Sequence, residues 1–137
     1  YKMGGNGFEL DNLSVDIMND VSYDASQEIK KLFGVSRDDS EYKVMITVDE
    51  EFVPVIINTN GTVSKYQINI TMSFEVVDSN DMSLLSDISV GLAQYDVQTS
   101  EIENEELRKQ MLRSATYDAA SLMVTKIQSK LSFVNDN

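Results

Sequence analysis

Tyr66-Gln67-Ile68-Asn69-Ile70-Thr71-Met72-Ser73-Phe74-Glu75-Val76 alternates apolar and polar residues without a break. Tyr66, Ile68, Ile70, Met72, Phe74 and Val76 share one parity; Gln67, Asn69, Thr71, Ser73 and Glu75 share the other. Period-two alternation predicts a β-strand with one buried and one wetted face, because successive side chains of an extended chain point to opposite sides. At ~3.3 Å per residue the stretch spans roughly 36 Å, longer than most strands of small domains.

Upstream, Tyr42, Val44, Ile46 and Val48 alternate with Lys43, Met45 and Thr47, a second strand expected to end at the charged step Asp49-Glu50-Glu51. Phe52-Val53-Pro54-Val55-Ile56-Ile57 comes next, apolar on both parities and interrupted by the chain's one proline, which belongs at an edge or a bulge. Asn60-Gly61 between apolar flanks is a tight-turn signal and predicts a hairpin over 55–66. Nearer the N-terminus, Leu13, Val15 and Ile17 are in phase for a first strand, and Phe8 and Leu10 on the other parity suggest a bulge near Asp11-Asn12. A short helix is predicted after Ser22 as N-cap, with Asp24 and Glu28 in its early turns, Ala25, Ile29, Leu32 and Phe33 on one face, and Gly34 as its stop. Arg37 to Ser40 reads as a loop, and the glycine-rich segment 1–7 as a mobile lead-in.

Downstream, Asp78-Ser79-Asn80-Asp81 predicts a turn into a strand over Leu84 to Val97 that aligns Ile88, Val90 and Leu92. Tyr95 and Val97 switch parity, which suggests a bulge around Ala93-Gln94. Ser100 and Glu103 form a capping-box signal for a long helix over 101–133. Its apolar stripe is Leu107, Met111, Ala115, Ala119, Leu122, Met123, Ile127 and Leu131. Steps of four advance ~40° each, so the stripe winds as a helix crossing a twisted sheet requires. The order β-α-β-β-β-α predicts an α+β two-layer sandwich, with a mostly antiparallel four-stranded sheet and two helices on one face, in a single domain over residues 1–137.

The chain of 137 residues carries 42% hydrophobic and 25% charged residues, ordinary values for a globular domain. It has no Cys and no His, which removes disulfides, thiolate nucleophiles, the usual neutral-pH general base and the commonest transition-metal ligand. These absences count against enzyme chemistry, and no cofactor is expected. A net charge of −12 without a basic, aromatic-bearing stripe argues against nucleic acid as a partner. No apolar run reaches the ~18 residues of a membrane span.

Acidic clusters are the obvious candidates for chemistry. Asp38, Asp39 and Glu41 have the oxygen ligands for Ca²⁺, but a solvated acidic loop is the plainer reading. Asp78-Ser79-Asn80 opens like a calcium loop, yet Ser83 and Ser89 stand where the turn glycine and bidentate glutamate belong. Asp49, Glu50 and Glu51 offer paired carboxylates for glycoside hydrolysis, but successive strand residues point to opposite faces. Asn12, Asn60 and Asn69 stand in glycosylation sequons, a motif common by chance. The apolar run Phe52, Val53, Val55, Ile56 and Ile57 is either a half-buried edge hairpin or a partner-docking surface, since open hydrophobic edges are usually covered.

Three local patterns carry a family resemblance. Ser64-Lys65-Tyr66-Gln67-Ile68 runs through to Phe74-Glu75-Val76-Val77-Asp78. Gln94-Tyr95-Asp96-Val97 leads to Ser100 and the long helix, and Ala115-Thr116-Tyr117-Asp118-Ala119-Ala120 runs through to Lys126-Ile127-Gln128-Ser129-Lys130-Leu131. With the element order, these resemble LptE, the lipopolysaccharide-assembly lipoproteins that partner the outer-membrane β-barrel LptD. Tyr1-Lys2-Met3 is similar to the residues just after the lipidated Cys-Gly of many members, so a leader and anchor cysteine are expected upstream. The resemblance implies a non-enzymatic protein tethered by an N-terminal lipid at the periplasmic face of the outer membrane. There it would plug and help assemble an LptD-like barrel for lipopolysaccharide transport. Basic residues that some members turn to lipopolysaccharide phosphates reduce here to Lys65, Arg108, Lys109 and Arg113. The alternative function is a periplasmic lipoprotein adaptor that scaffolds or activates another cell-envelope enzyme.

Overall fold

A computed structural model describes residues 13–33 and 41–135, with side chains as far as Leu131. The elements are β1 (Leu13–Ile17), α1 (Tyr23–Phe33), β2 (Tyr42–Ile57), β3 (Val63–Asp78), β4 (Ser83–Asp96) and α2 (Glu101–Asn135), in the expected order. One four-stranded sheet runs β1-β2-β3-β4, with β1 parallel to β2 and the other neighbours antiparallel. Both helices pack against it. The expected Asp38–Asp39 cluster, the Gly34 stop, the Arg37–Ser40 loop, the 1–7 segment and the bulge near Asp11-Asn12 lie outside the described residues.

β3 carries the alternation that defines the layers. Ile68, Ile70, Met72, Phe74 and Val76 are buried beneath the helices, alongside Val44, Ile46 and Val48 of β2. Gln67, Asn69, Thr71, Ser73 and Glu75 form the middle row of the opposite, open face. On that face the amides link into a chain. Gln94 Nε2 donates to Gln67 Oε1, Gln67 Nε2 to Asn69 Oδ1, and Asn69 Nδ2 to Glu51 Oε1, all at 2.7–3.0 Å.

Local chemistry closes the elements as their residues suggest. Ser22 Oγ accepts the Ala25 N–H at 3.3 Å and caps α1. Ser100 Oγ likewise accepts Glu103 N–H at 3.3 Å at the start of α2. Gly61 takes φ +90° at the tip of the β2–β3 hairpin, a conformation that L side chains rarely adopt. In the β3–β4 turn, Asp78 Oδ1 accepts N–H groups of Asn80 and Met82 at 2.8 and 3.0 Å.

Three expectations need correction. β2 does not end at Asp49-Glu50-Glu51; it continues to Ile57. Asp49 and Glu51 fall on the wetted face, and Glu50, on the helix side, accepts hydrogen bonds from Ser22 N–H and Oγ–H at 3.3 and 2.8 Å. The charges are satisfied without breaking the strand. β4 has no bulge at Ala93-Gln94, and its ladder to β3 is regular from Asp96 to Leu85. The parity switch arises because Ile88, Val90 and Leu92 project from the open face, 52%, 49% and 54% exposed, while Ser89 and Gly91 are buried beneath α2. Finally, α2 buries Leu112, Thr116 and Ala120 beside Ala115, Ala119, Met123, Ile127 and Leu131, whereas Leu122 faces solvent and Leu107 and Met111 are half-buried.

Small residues beneath the helix explain that arrangement. A Cβ on Gly91 would lie 2.1 Å from the Ala115 carbonyl oxygen and 2.7 Å from the Ala119 nitrogen. The helix backbone thus occupies the space of a missing side chain. Gly91→Ala should lower unfolding stability by at least about 3 kcal/mol, the upper end of overpacking costs, read from urea unfolding. Ser89 Oγ is buried without a hydrogen-bond partner, so Ser89→Ala should match or exceed the parent stability by up to about 1 kcal/mol in the same measurement.

Candidate interaction surface

β2 outruns its neighbour. The 5 residues of β1 pair only with Tyr42 to Ile46, so the remainder of β2 forms an edge of the sheet. Met18 N–H extends the cover by donating to the Ile46 carbonyl at 2.8 Å. Asn19 then imitates a strand residue: its Nδ2 donates to Val48 O at 2.8 Å and its Oδ1 accepts Val48 N–H at 3.0 Å. These bonds show that the even residues of β2 turn their backbone groups away from β3, as antiparallel alternation requires. Pro54 shares that parity, so its missing N–H costs no ladder bond.

Past Glu50 the edge carries the apolar run. Phe52 is 37% exposed on the helix side, with the Arg108 guanidinium carbon 5.5 Å from its ring centroid, a cation–π contact. Val53 is half-buried on the open face opposite Gln67. The ladder then slips between Pro54 and Ile56 and again before Ile57. The slips disturb the alternation, and Val55, Ile56 and Ile57 all emerge, at 44%, 46% and 61% exposure. All five candidate residues thus gather along the β2 edge near the hairpin tip.

Beneath α2 at the same end, the rings of Tyr66 and Tyr95 stack at 5.8 Å and 27°. Burial pushes the Tyr95 phenol above its ordinary value, against the pull of the nearby Arg108 charge. Tyr95, Glu101, Asn104, Glu105 and Arg108 line a shallow 300 Å³ cleft there. Its one cation is engaged, since Arg108 Nη2 bonds Glu105 Oε1, which holds that carboxyl below its usual range.

The four basic candidates are divided between the layers, with Lys65 on β3 and Arg108, Lys109 and Arg113 on α2. Lys65, on the open face, lies 3.5 Å from Asp96, and Arg113, on α2, lies 3.4 Å from Asp24 of α1. Of the four, only Lys109 has no ion pair among the described residues. The carboxylates diverge as well: Glu50 turns to Ser22 and Glu51 to Asn69. Among the described residues, no group of three or more carboxylates gathers in a way that could hold a metal ion. No described helix is long and apolar enough to cross a membrane.

Sequence reasoning missed the Asn19 edge cap, the Arg108–Phe52 contact and the Tyr66–Tyr95 pair. Only the last had a local signal, two tyrosines on apolar parities of neighbouring strands. Asn19→Ala leaves both Val48 backbone groups without their partners and should cost about 1–2 kcal/mol in urea unfolding.

Comparison with known proteins places this architecture. No curated protein matches the chain by sequence at a significant level. Among solved structures, a protein of Caulobacter crescentus CB15 solved as a lipoprotein is similar at 13% identity and TM-score 0.67, over 90% of each chain. Lipoprotein B of Nitrosomonas europaea is similar at 14% identity and TM-score 0.64, over 92% of this chain and 93% of that one. Rare lipoprotein B of Shewanella oneidensis is similar at 14% identity and TM-score 0.58, over 87% and 97%. At such identities these likenesses establish the fold alone. The family model described as LptE, lipopolysaccharide-assembly, matches residues 10–131. With nearly the whole chain matched, this protein belongs to the LptE family of lipopolysaccharide-assembly proteins.

Proposed function

We propose that this protein is a non-enzymatic lipoprotein, tethered by an N-terminal lipid at the periplasmic face of the outer membrane, which plugs and helps assemble an LptD-like β-barrel for lipopolysaccharide transport. The family match over residues 10–131 carries this reading. The body suits the task. β2 and β3, each of 16 residues, would extend ~50 Å, and the 35-residue α2 a similar distance. Locked together as two layers, they make a long, stiff insert for a wide barrel, whose lumen needs a plug.

Phe52, Val53, Val55, Ile56 and Ile57 form the docking surface in this reading. They are apolar and gathered at the sheet edge near one end of the body, with Phe52, Val55, Ile56 and Ile57 exposed and Val53 half-buried. Lys65, Arg108 and Arg113 are already paired with carboxylates, which favours barrel docking over direct contact with lipopolysaccharide phosphates. With neither His nor Cys in the chain and the strand carboxylates turned apart, the residues favour a scaffold over a catalyst.

Affinity purification of the tagged, full-length lipoprotein from its own detergent-solubilised membranes tests the proposal. A large β-barrel should co-purify, and the Phe52→Asp/Ile56→Asp double variant should lose it by at least about tenfold while remaining folded. Recovery of the parent protein without a barrel would remove the proposal. Undiminished recovery with the folded double variant would remove the assignment of the surface.

A further inference from the structure

β4 forms the other long edge of the sheet. Its odd residues bond to β3, as Val97 N–H donating to Ser64 O at 2.9 Å shows where the ladder continues past the strand. Its even residues therefore turn N–H and C=O outward. Lys126 occupies one of these groups: its Nζ donates to the Ile88 carbonyl at 2.7 Å and lies 3.6 Å from Asp87. No described residue pairs with the outward groups of Val90, Leu92 and Gln94.

This gap contrasts with the treatment of β2. There Asn19 caps Val48, Ser22 holds Glu50, Pro54 deletes a donor and the register slips beyond it. Such devices keep sheet edges from pairing with other chains. From Ile88 to Tyr95, β4 carries no charge, proline or bulge. The stretch is also walled on both sides. Ile88, Val90 and Leu92 rise about half-exposed from the open face. Leu122, 42% exposed, lies one helical turn before Lys126 and so on the same flank of α2, with Asp118 a turn earlier.

We infer that the β4 edge from Val90 to Gln94 receives, by strand addition, an extended segment of a protein partner with apolar residues at alternate positions and lysine or arginine between them. Side chains of an added strand alternate between the two faces. Those on the open face meet Ile88, Val90 and Leu92, which selects apolar residues. Those on the helix side pass Asp118, an exposed carboxylate without an ion pair among the described residues, which selects basic ones. Charge argues against a second copy of this chain. Two molecules of net charge −12 would meet with their Asp118 residues on the shared groove. The inference does not depend on the barrel reading, and Ile57 at the opposite edge serves as its control.

Amide hydrogen exchange of the isotope-labelled protein, followed by NMR with synthetic peptides about ten residues long, tests it. The probes alternate valine with lysine or valine with glutamate. The lysine peptide should slow exchange at the Val90, Leu92 and Gln94 amides by at least about tenfold, and the glutamate peptide should bind at least about tenfold more weakly. Val90→Lys and Leu92→Lys, each at a half-exposed site, should abolish the protection. Ile57→Lys should not. Should one edge variant fail to fold, the other decides the matter. Equal binding of the two peptides, no protection of these amides, or unchanged binding by a folded edge variant would overturn the inference. Protection that grows with protein concentration alone, with dimers in sedimentation, would assign the edge to a second copy and overturn it too.

Discussion

The close approach of α2 to β4 at Gly91 organises the rest of the molecule. The Ala115 carbonyl sits 2.1 Å from where a Cβ on Gly91 would be, so helix and strand touch through backbone with no side chain between them. That contact forces small residues along the buried face of β4, where Ser89 and Gly91 are enclosed by the helix. The bulk of the core then comes from β2 and β3, whose Ile46, Ile68, Ile70, Met72 and Phe74 fill the wedge between sheet and helices. A helix resting directly on an edge strand leaves little room for large side chains at Ser89 and Gly91, and their neighbours Ile88, Val90 and Leu92 stand on the other face. One packing constraint thus accounts for both the closed core and the open apolar stripe.

The edges show where such a body is free to meet others. β2 is guarded as far as Glu50 by side chains from the segment between β1 and α1. Beyond that point the guarding gives way to an apolar run whose ladder to β3 slips past Pro54, leaving the side chains of Val55, Ile56 and Ile57 exposed. β4 shows the reverse, with an unbroken ladder and regular alternation from Leu85 to Asp96. The two edges therefore offer different chemistry, a hydrophobic knob on one side and a strand template on the other. The charges add a further bias. Lys65, Arg108 and Arg113 are held by carboxylates of the same chain, so the acidic surplus is left for a partner to meet.

The sequence was most legible where a periodic pattern coincided with a local stop. β3, the Asn60-Gly61 hairpin and the Ser22 and Ser100 caps could be read because each depends on neighbours in the chain. β2 was misread at Asp49-Glu50-Glu51, because the group that makes Glu50 tolerable is Ser22, distant in sequence. β4 was misread for a related reason. Ile88, Val90 and Leu92 resemble a core row, and only the Gly91 contact with α2 decides which face is covered. The apolar run Phe52–Ile57 was visible as composition, while its position beyond the reach of β1 required the sheet register. Lys65, Arg108, Lys109 and Arg113 were visible as cations; Glu105, three residues before Arg108, is a local sign of its pairing, but the partners of Lys65 and Arg113 are distant in sequence.

The central claim is that this stiff, acidic body works by seating its β2 edge in an outer-membrane barrel. Photocrosslinking in intact cells from a photoreactive amino acid in place of Ile56 tests this most directly. The account expects an adduct with an outer-membrane β-barrel, absent when the reactive group replaces the exposed Glu101 on α2. Adducts confined to a periplasmic or inner-membrane enzyme, or none from this position in a folded and correctly localised protein, would contradict it.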